Sequence, residues 1–262
     1  MMDSRQHGFS LIELITVIVI IGILATMTTD IITLPVRAYM DLARRTTLVD
    51  NADTALRLMQ RDIRRALPNS LRLNAGGTSL EMLHTSDGGR YRAKKASDGS
   101  GNILDFSTAD GSFDVIGSLD ATPQGELVIY NLGSGDGDAY AGSNRASLES
   151  TSTTSSIVLT SAKQFPLSSP HQRFYVVDTP ITYRCDANRL MRYSGYAISS
   201  TAADPPSGVT GQLLVNQVSD CQFVYTEGTS TNSGLLTLQL TLTDDAGESA
   251  QLLHQVHVDN AP

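Results

Sequence analysis

Gly8, Phe9 and Glu13 are the residues whose types and spacing first suggest chemistry. The stretch from Phe9 to Met27 is apolar or small almost throughout, yet a carboxylate stands four positions after Phe9. In a helix that crosses lipid, a carboxylate costs roughly 2.5 to 3.5 kcal/mol at the centre of the span and less toward its end. It therefore needs a partner. Phe9 and Glu13 form an i, i+4 pair, which on a helix beginning at Phe9 share one face, a turn apart. Cutting the Gly8–Phe9 bond places a new terminal amine on that face and gives Glu13 a cation that the gene does not encode. Without the cut, the nearest cationic side chain on this side is Arg5.

Other constellations carry less. Cys185 and Cys221 are the only cysteines, and neither has a CxxC or CxxH neighbour; two thiolates cannot close a tetrahedral zinc site unaided. A disulfide and a pair of buried free thiols remain, and the first places this part of the chain outside a reducing compartment. His254 and His257 form HxxH, but at that spacing on a strand they point to opposite faces. His254 shares its face with Leu252, Val256 and Val258, which favours a mostly buried, hydrogen-bonded histidine over a metal ligand. Asp136 and Asp138 sit in GSGDGDAYAGSN, a setting vaguely like a calcium loop but without its later acidic residue or its spacing. A polar loop is the simpler reading. The sequence has no GxSxG, Walker loop or HExxH, so neither an enzyme nor a metal or cofactor is expected. The net charge of −8 disfavours nucleic acid as a partner.

To hold a carboxylate one turn inside an apolar helix, the chain must first form that helix. Phe9 to Met27 approaches the roughly 20 residues that cross a hydrocarbon core. A cleaved secretory signal has a shorter apolar region, about 7 to 15 residues, and an ordinary signal anchor leaves Glu13 unexplained. Further on, Leu48, Ala52, Ala55, Met59, Ile63 and Ala66 recur every three or four positions, the buried stripe of an amphipathic helix. Asp53, Arg57, Arg61, Asp62, Arg64 and Arg65 fall on the other side and read as a solvated face, with a docking surface as the alternative. Pro35 lacks an amide hydrogen and crowds the preceding turn, which predicts a kink between the two helical parts, and Pro68 marks the helix end.

After Pro68 the chain changes to short strand-like runs. Asp87-Gly88, Asp98-Gly99, Asp110-Gly111 and Asp136-Gly137 are turn signals, and the segment rich in Ser, Gly and Thr over 134–156 predicts a mobile surface loop. Leu236, Leu238, Leu240 and Leu242 alternate with polar residues, the pattern of a strand with one wet face. DDAGES then reads as a turn and AQLLHQVHVDN as the returning strand. RFYVVDTPITYRC, NRLMRYSGY and LLVNQVSDCQFVYT extend an antiparallel meander, two strands of which Cys185 and Cys221 would staple. The predicted class is α+β: a long N-terminal helix packed on an antiparallel β-sheet body.

Gly8-Phe9-Ser10-Leu11-Ile12-Glu13-Leu14, between a short charged leader and a full apolar stretch, resembles the processing site of type IV pilins and pseudopilins. The resemblance implies a prepilin peptidase that cuts between Gly8 and Phe9 and methylates the Phe9 amine, and a Glu13 that pairs with such an amine during assembly. It divides the chain into a leader (1–8), a transmembrane helix (9–34), an amphipathic helix (35–67) and a periplasmic body (68–262). The partners it implies are the peptidase, major and minor pilins of the same system and an inner-membrane assembly platform. It also implies a single pass through a bacterial inner membrane, followed by incorporation into a pilus. Arg37, Arg44 and Arg45 after the apolar stretch, against Arg5 before it, argue for the opposite orientation; the motif outweighs that count. Where many pilins carry a helix-disturbing proline this chain has Asp30, so the kink is displaced toward the body. Tyr183-Arg184-Cys185, Leu190 to Tyr196, Cys221 to Tyr225 and His254 to Pro262 give the body a resemblance to J-type minor pseudopilins and to a minor pilin of the mannose-sensitive haemagglutinin (MSHA) pilus, which implies initiation or capping of a fibre. The alternatives are a type II secretion pseudopilus and an unprocessed, membrane-anchored β-rich adhesin or binding protein.

Overall fold

A computed structural model describes residues 8–201, 204–228, 233–258 and 260, except the side chains of 27–30 and 32. The expected leader, apart from Gly8, lies outside the described residues. The first element, α1, spans Leu11–Arg64 as one helix of 54 residues. It passes through Pro35 without a break, so the boundary expected between 34 and 35 does not divide the secondary structure. A proline removes one amide donor from the ladder, and the turns on either side keep the helix continuous. The helix ends when the Arg65 and Ala66 amides turn back to the carbonyls of Asp62 and Ile63, respectively.

The strands follow in the order β1 (Arg72–Leu73), β2 (Ser79–Tyr91), β3 (Asp110–Ile116), β4 (Glu126–Ile129), β5 (Arg145–Ser147), β6 (Ser156–Lys163), β7 (Arg173–Asp186), β8 (Arg189–Ser194), β9 (Gln212–Asn216), β10 (Val218–Thr226), β11 (Gly234–Thr243) and β12 (Ser249–Val258). They form two antiparallel sheets. In the larger one the order is β5-β4-β7-β2-β3-β6, with β8 and β9 continuing beside β7 and β1 beside β2. The smaller is β10-β11-β12. The run LLVNQVSDCQFVYT supplies a strand to each sheet because Gln217, at φ 62°, turns the chain between β9 and β10.

The helix stripe builds the main core. Leu48, Ala52, Ala55, Met59 and Ile63 are buried as the periodicity predicts, together with Leu56. They pack with Met82, Ile181 and Leu190 of the larger sheet and with the alternating leucines of β11. A second core, centred on Phe113 and Phe174, lies at the other end of the larger sheet. Successive contacts carry α1 past the β11–β12 turn and along β12 in the same direction: Arg44 to Asp244 at 3.5 Å and Arg45 to Glu248 at 4.0 Å in the turn, then Gln60 to His254 of β12 at 2.9 Å.

Three expectations are corrected. Asp87-Gly88 lies within β2 and Asp110-Gly111 opens β3, so neither is a turn. Pairing with β7 decides the first: a Cβ on Gly88 would stand 3.1 Å from the Phe174 carbonyl oxygen, an approach that favours glycine in a strand. The segment 134–156 is not a loose loop. It holds β5 and buries Ala139 and Tyr140, and the Asn131 side chain accepts from the Ala139 amide while donating to the Pro68 carbonyl.

The third correction concerns Asp62, assigned to the solvated face but only 5% exposed. Its carboxylate accepts from the Tyr183 hydroxyl at 2.7 Å and from Arg192 Nε at 2.9 Å, pinning the last helical turn to β7 and β8. A similar clamp holds the loop after β8. Arg72 pairs with buried Glu81, donates to the carbonyls of Ser199 and Thr201 at 2.8 and 3.0 Å, and lies 3.6 Å from the Tyr140 ring centroid. Burial pushes the Glu81 carboxyl above its ordinary range, against the opposing pull of Arg72.

Asp62→Ala should destabilise the fold by about 1 to 3 kcal/mol, because it leaves the buried Tyr183 hydroxyl without its acceptor and the partly buried Arg192 without its counter-charge, and Asp62→Asn should cost less; urea denaturation of the full chain in detergent micelles measures both. Glu81 predicts a pH dependence. Its folded pKa lies above the unfolded value, so its contribution is fully present below the unfolded pKa and declines as pH rises through the raised one. Over that window the stability curve of Glu81→Gln should fall less steeply than that of the parent.

Candidate processing and assembly site

Gly8 and Phe9 precede the helix and are exposed, Phe9 at 78%. Among the described residues, a Cβ built on Gly8 would meet nothing within 4 Å, so no contact with them calls for glycine here. The peptide bond after it is open to an outside enzyme, as exposed terminal segments generally are.

Ser10 starts the helix. Its backbone is extended, at φ −78° and ψ 149°, its hydroxyl oxygen accepts from the Glu13 amide at 3.3 Å, and its carbonyl accepts from Leu14 at 3.2 Å. Ser10 is thus the N-cap and Glu13 the third helical residue, the spacing of a capping box, where the amide dipoles of the first turn favour a negative charge. This changes the expected geometry. With the cap at Ser10, Phe9 lies outside the helix in the uncut chain, so the pair does not share a helix face. Glu13 is exposed, and among the described residues no cation lies within 4.0 Å of it.

Cys185 of β7 and Cys221 of β10 are joined, with their Cα atoms 6.2 Å apart. The bond ties the larger sheet to the smaller, and neither cysteine is a free thiol. His254 and His257 do face opposite sides: His257 is exposed, while Nδ1 of His254 accepts from the Gln60 amide and its Nε2 lies 3.8 Å from Asp53. Asp138 accepts from the Tyr140 amide at 2.8 Å. Among the described residues, no group of three or more His, Cys, Asp or Glu could hold a metal ion.

The cap, the Asp62 pin and the Arg72 clamp were not anticipated. Ser10 had a local signal, since Ser-x-x-Glu before an apolar run marks a helix start. The other two join residues distant in sequence.

Residues 3–29 match a family described as the prokaryotic N-terminal methylation motif. The match falls on the segment that holds the exposed Gly8–Phe9 bond, the Ser10 cap and Glu13. It supports a pilin-like subunit anchored at a membrane, processed by prepilin peptidase and assembled with other pilins. Nothing among curated proteins or solved structures matches the chain. Among the described residues no helix is long and apolar enough to cross a membrane; the described side chains of the apolar stretch stop at Thr26, short of its end.

Ser10→Ala should weaken the helix start by about 1 kcal/mol. Hydrogen exchange at the Ile12 to Leu14 amides should accelerate several-fold, and Ser10→Asp should restore protection.

Proposed function

We propose that this chain is a minor pilin, most like MshO of the MSHA pilus, that starts or caps a type IV fibre after cleavage between Gly8 and Phe9. One observation carries the reading: Glu13 is exposed, and without a cation within 4.0 Å among the described residues, in the first turn of a helix whose apolar side chains, from Leu11 to Leu24, are also exposed. A carboxylate beside that much uncovered apolar surface makes sense when another chain supplies both the covering and the charge. In the proposed mechanism the helix spans the inner membrane, the body lies in the periplasm, and Arg37, Arg44 and Arg45 stay on the periplasmic side. The methylated Phe9 amine of one subunit pairs with Glu13 of the next while their apolar helices pack side by side. An unpaired charge in lipid is costly, so the pair both favours association and sets the axial register. The Cys185–Cys221 bond suits an oxidising compartment.

Intact-mass measurement on the protein from its native membrane tests the processing. The expected product begins at Phe9 and carries one added methyl group; retention of Met1 to Gly8 would favour an unprocessed anchor and sink the proposal. Glu13→Ala should still be cleaved but should enter fibres poorly, and normal incorporation would remove the ion pair from the mechanism.

A further inference from the structure

Arg57, Arg61 and Arg64 stand at i, i+4 and i+7 on the exposed side of α1, each a turn above the last. With Gln60 and Arg65 they line a shallow cleft. Arg64 and Arg65 also line a second cleft, where the helix end meets Thr85, Asp87 and His257, so the two clefts join through these arginines into one trough; the Asp87 carboxylate there already accepts from the Gly88 and Asp120 amides. Only part of its charge is answered within the chain. Arg57 holds Asp53 at 2.6 Å, but Arg61 reaches only Asp62, at 4.0 Å, and that carboxylate already serves Tyr183 and Arg192. Among the described residues, no carboxylate lies within 4.0 Å of Arg64 or Arg65. In the second cleft the Thr85 hydroxyl oxygen is shielded from solvent and, among the described residues, has no hydrogen-bond partner. The carbonyl end of α1 helps to keep these guanidiniums together when nothing else is bound.

We propose that the trough docks an acidic segment of a neighbouring protein subunit, with carboxylates on successive turns meeting Arg57, Arg61 and Arg64. The inference rests on the fibre reading for the presence of a neighbour and adds the chemistry by which one is chosen. Guanidinium forks suit carboxylates and anionic phosphates alike, so position and net charge decide between them. Along the helix Arg57 lies about 35 Å beyond Leu34, the end of the expected span, at 1.5 Å per residue, which puts the trough out of reach of lipid headgroups bordering that span. A nucleic acid would carry its charge across a chain of net charge −8 and be repelled outside the trough, whereas a short acidic segment concentrates its charge where the arginines are.

The test uses the full chain in non-ionic detergent micelles and a fluorescein-labelled helical peptide bearing glutamates at i, i+4 and i+7, followed by anisotropy. The glutamate peptide should bind, its affinity should fall as sodium chloride rises, and the same peptide with glutamines should not bind. Arg61→Glu combined with Arg64→Glu should weaken binding about tenfold or more, while Arg37→Glu should leave it unchanged. The milder Arg61→Gln, Arg64→Gln pair should fall between, which separates loss of charge from loss of fold. Absence of binding, binding that survives the double reversal, or equal binding of a DNA duplex each overturns the proposal. The assay does not require cleavage at Gly8, so its failure leaves the processing reading intact, and retention of the leader leaves this result intact.

Discussion

Over the first half of α1 the described apolar side chains face away from the body. Every large apolar residue described from Leu11 to Leu24 is exposed, and among the described side chains burial begins at Leu48. Apolar surface of that extent does not remain in water in a soluble monomer, and a helix that is hydrophobic all round belongs in lipid or among other helices. The rest of the structure follows from this division of one rigid element between two environments. The body must grip the helix firmly by its last turns, and the first turns must stay free for something outside the chain.

The grip combines a nonspecific and a specific part. Leu48, Ala52, Ala55, Leu56, Met59 and Ile63 bury an apolar stripe between the two sheets, which would tolerate some sliding of similar residues past one another. Asp62 does not tolerate it. Its carboxylate finds the Tyr183 hydroxyl and Arg192 in only one register, and any shift leaves a charge buried without its counterpart. The disulfide acts at a different level by joining β7 and β10, so the sheets enclosing the helix cannot separate independently.

Much of this was legible in the sequence wherever the signal was periodic or contiguous. The helix stripe and the leucines of β11 face inward because spacing alone fixes which side they occupy. The motif from Gly8 to Glu13 was legible because its members are neighbours in the chain. Asp62 was misassigned because what reverses its polarity is Arg192, 130 positions away, and a pattern confined to one helix contains no sign of it. Asp87-Gly88 has the composition of a turn, yet β7 recruits it into a long strand where the missing Cβ serves close approach instead of a bend. The passage from one sheet to the other falls at Gln217, whose positive φ has no signal in the residue type. In the segment from Gly8 to Glu13 the residues were visible but the start of the helix was not, because Ser10 reads equally as part of the apolar run and as the hydroxyl that caps its first turn.

The parallel course of α1 and β12 has a mechanical consequence. Along the shared length, Arg44 meets Asp244 near one end, Arg45 meets Glu248, and Gln60 meets His254 toward the other. In the proposed fibre, a subunit held by its first turns would feel tension along the helix axis. That tension would run along the seam with β12 and the turn before it, so the contacts would be strained together in shear and not peeled apart one by one. A stalk attached in this way would resist traction.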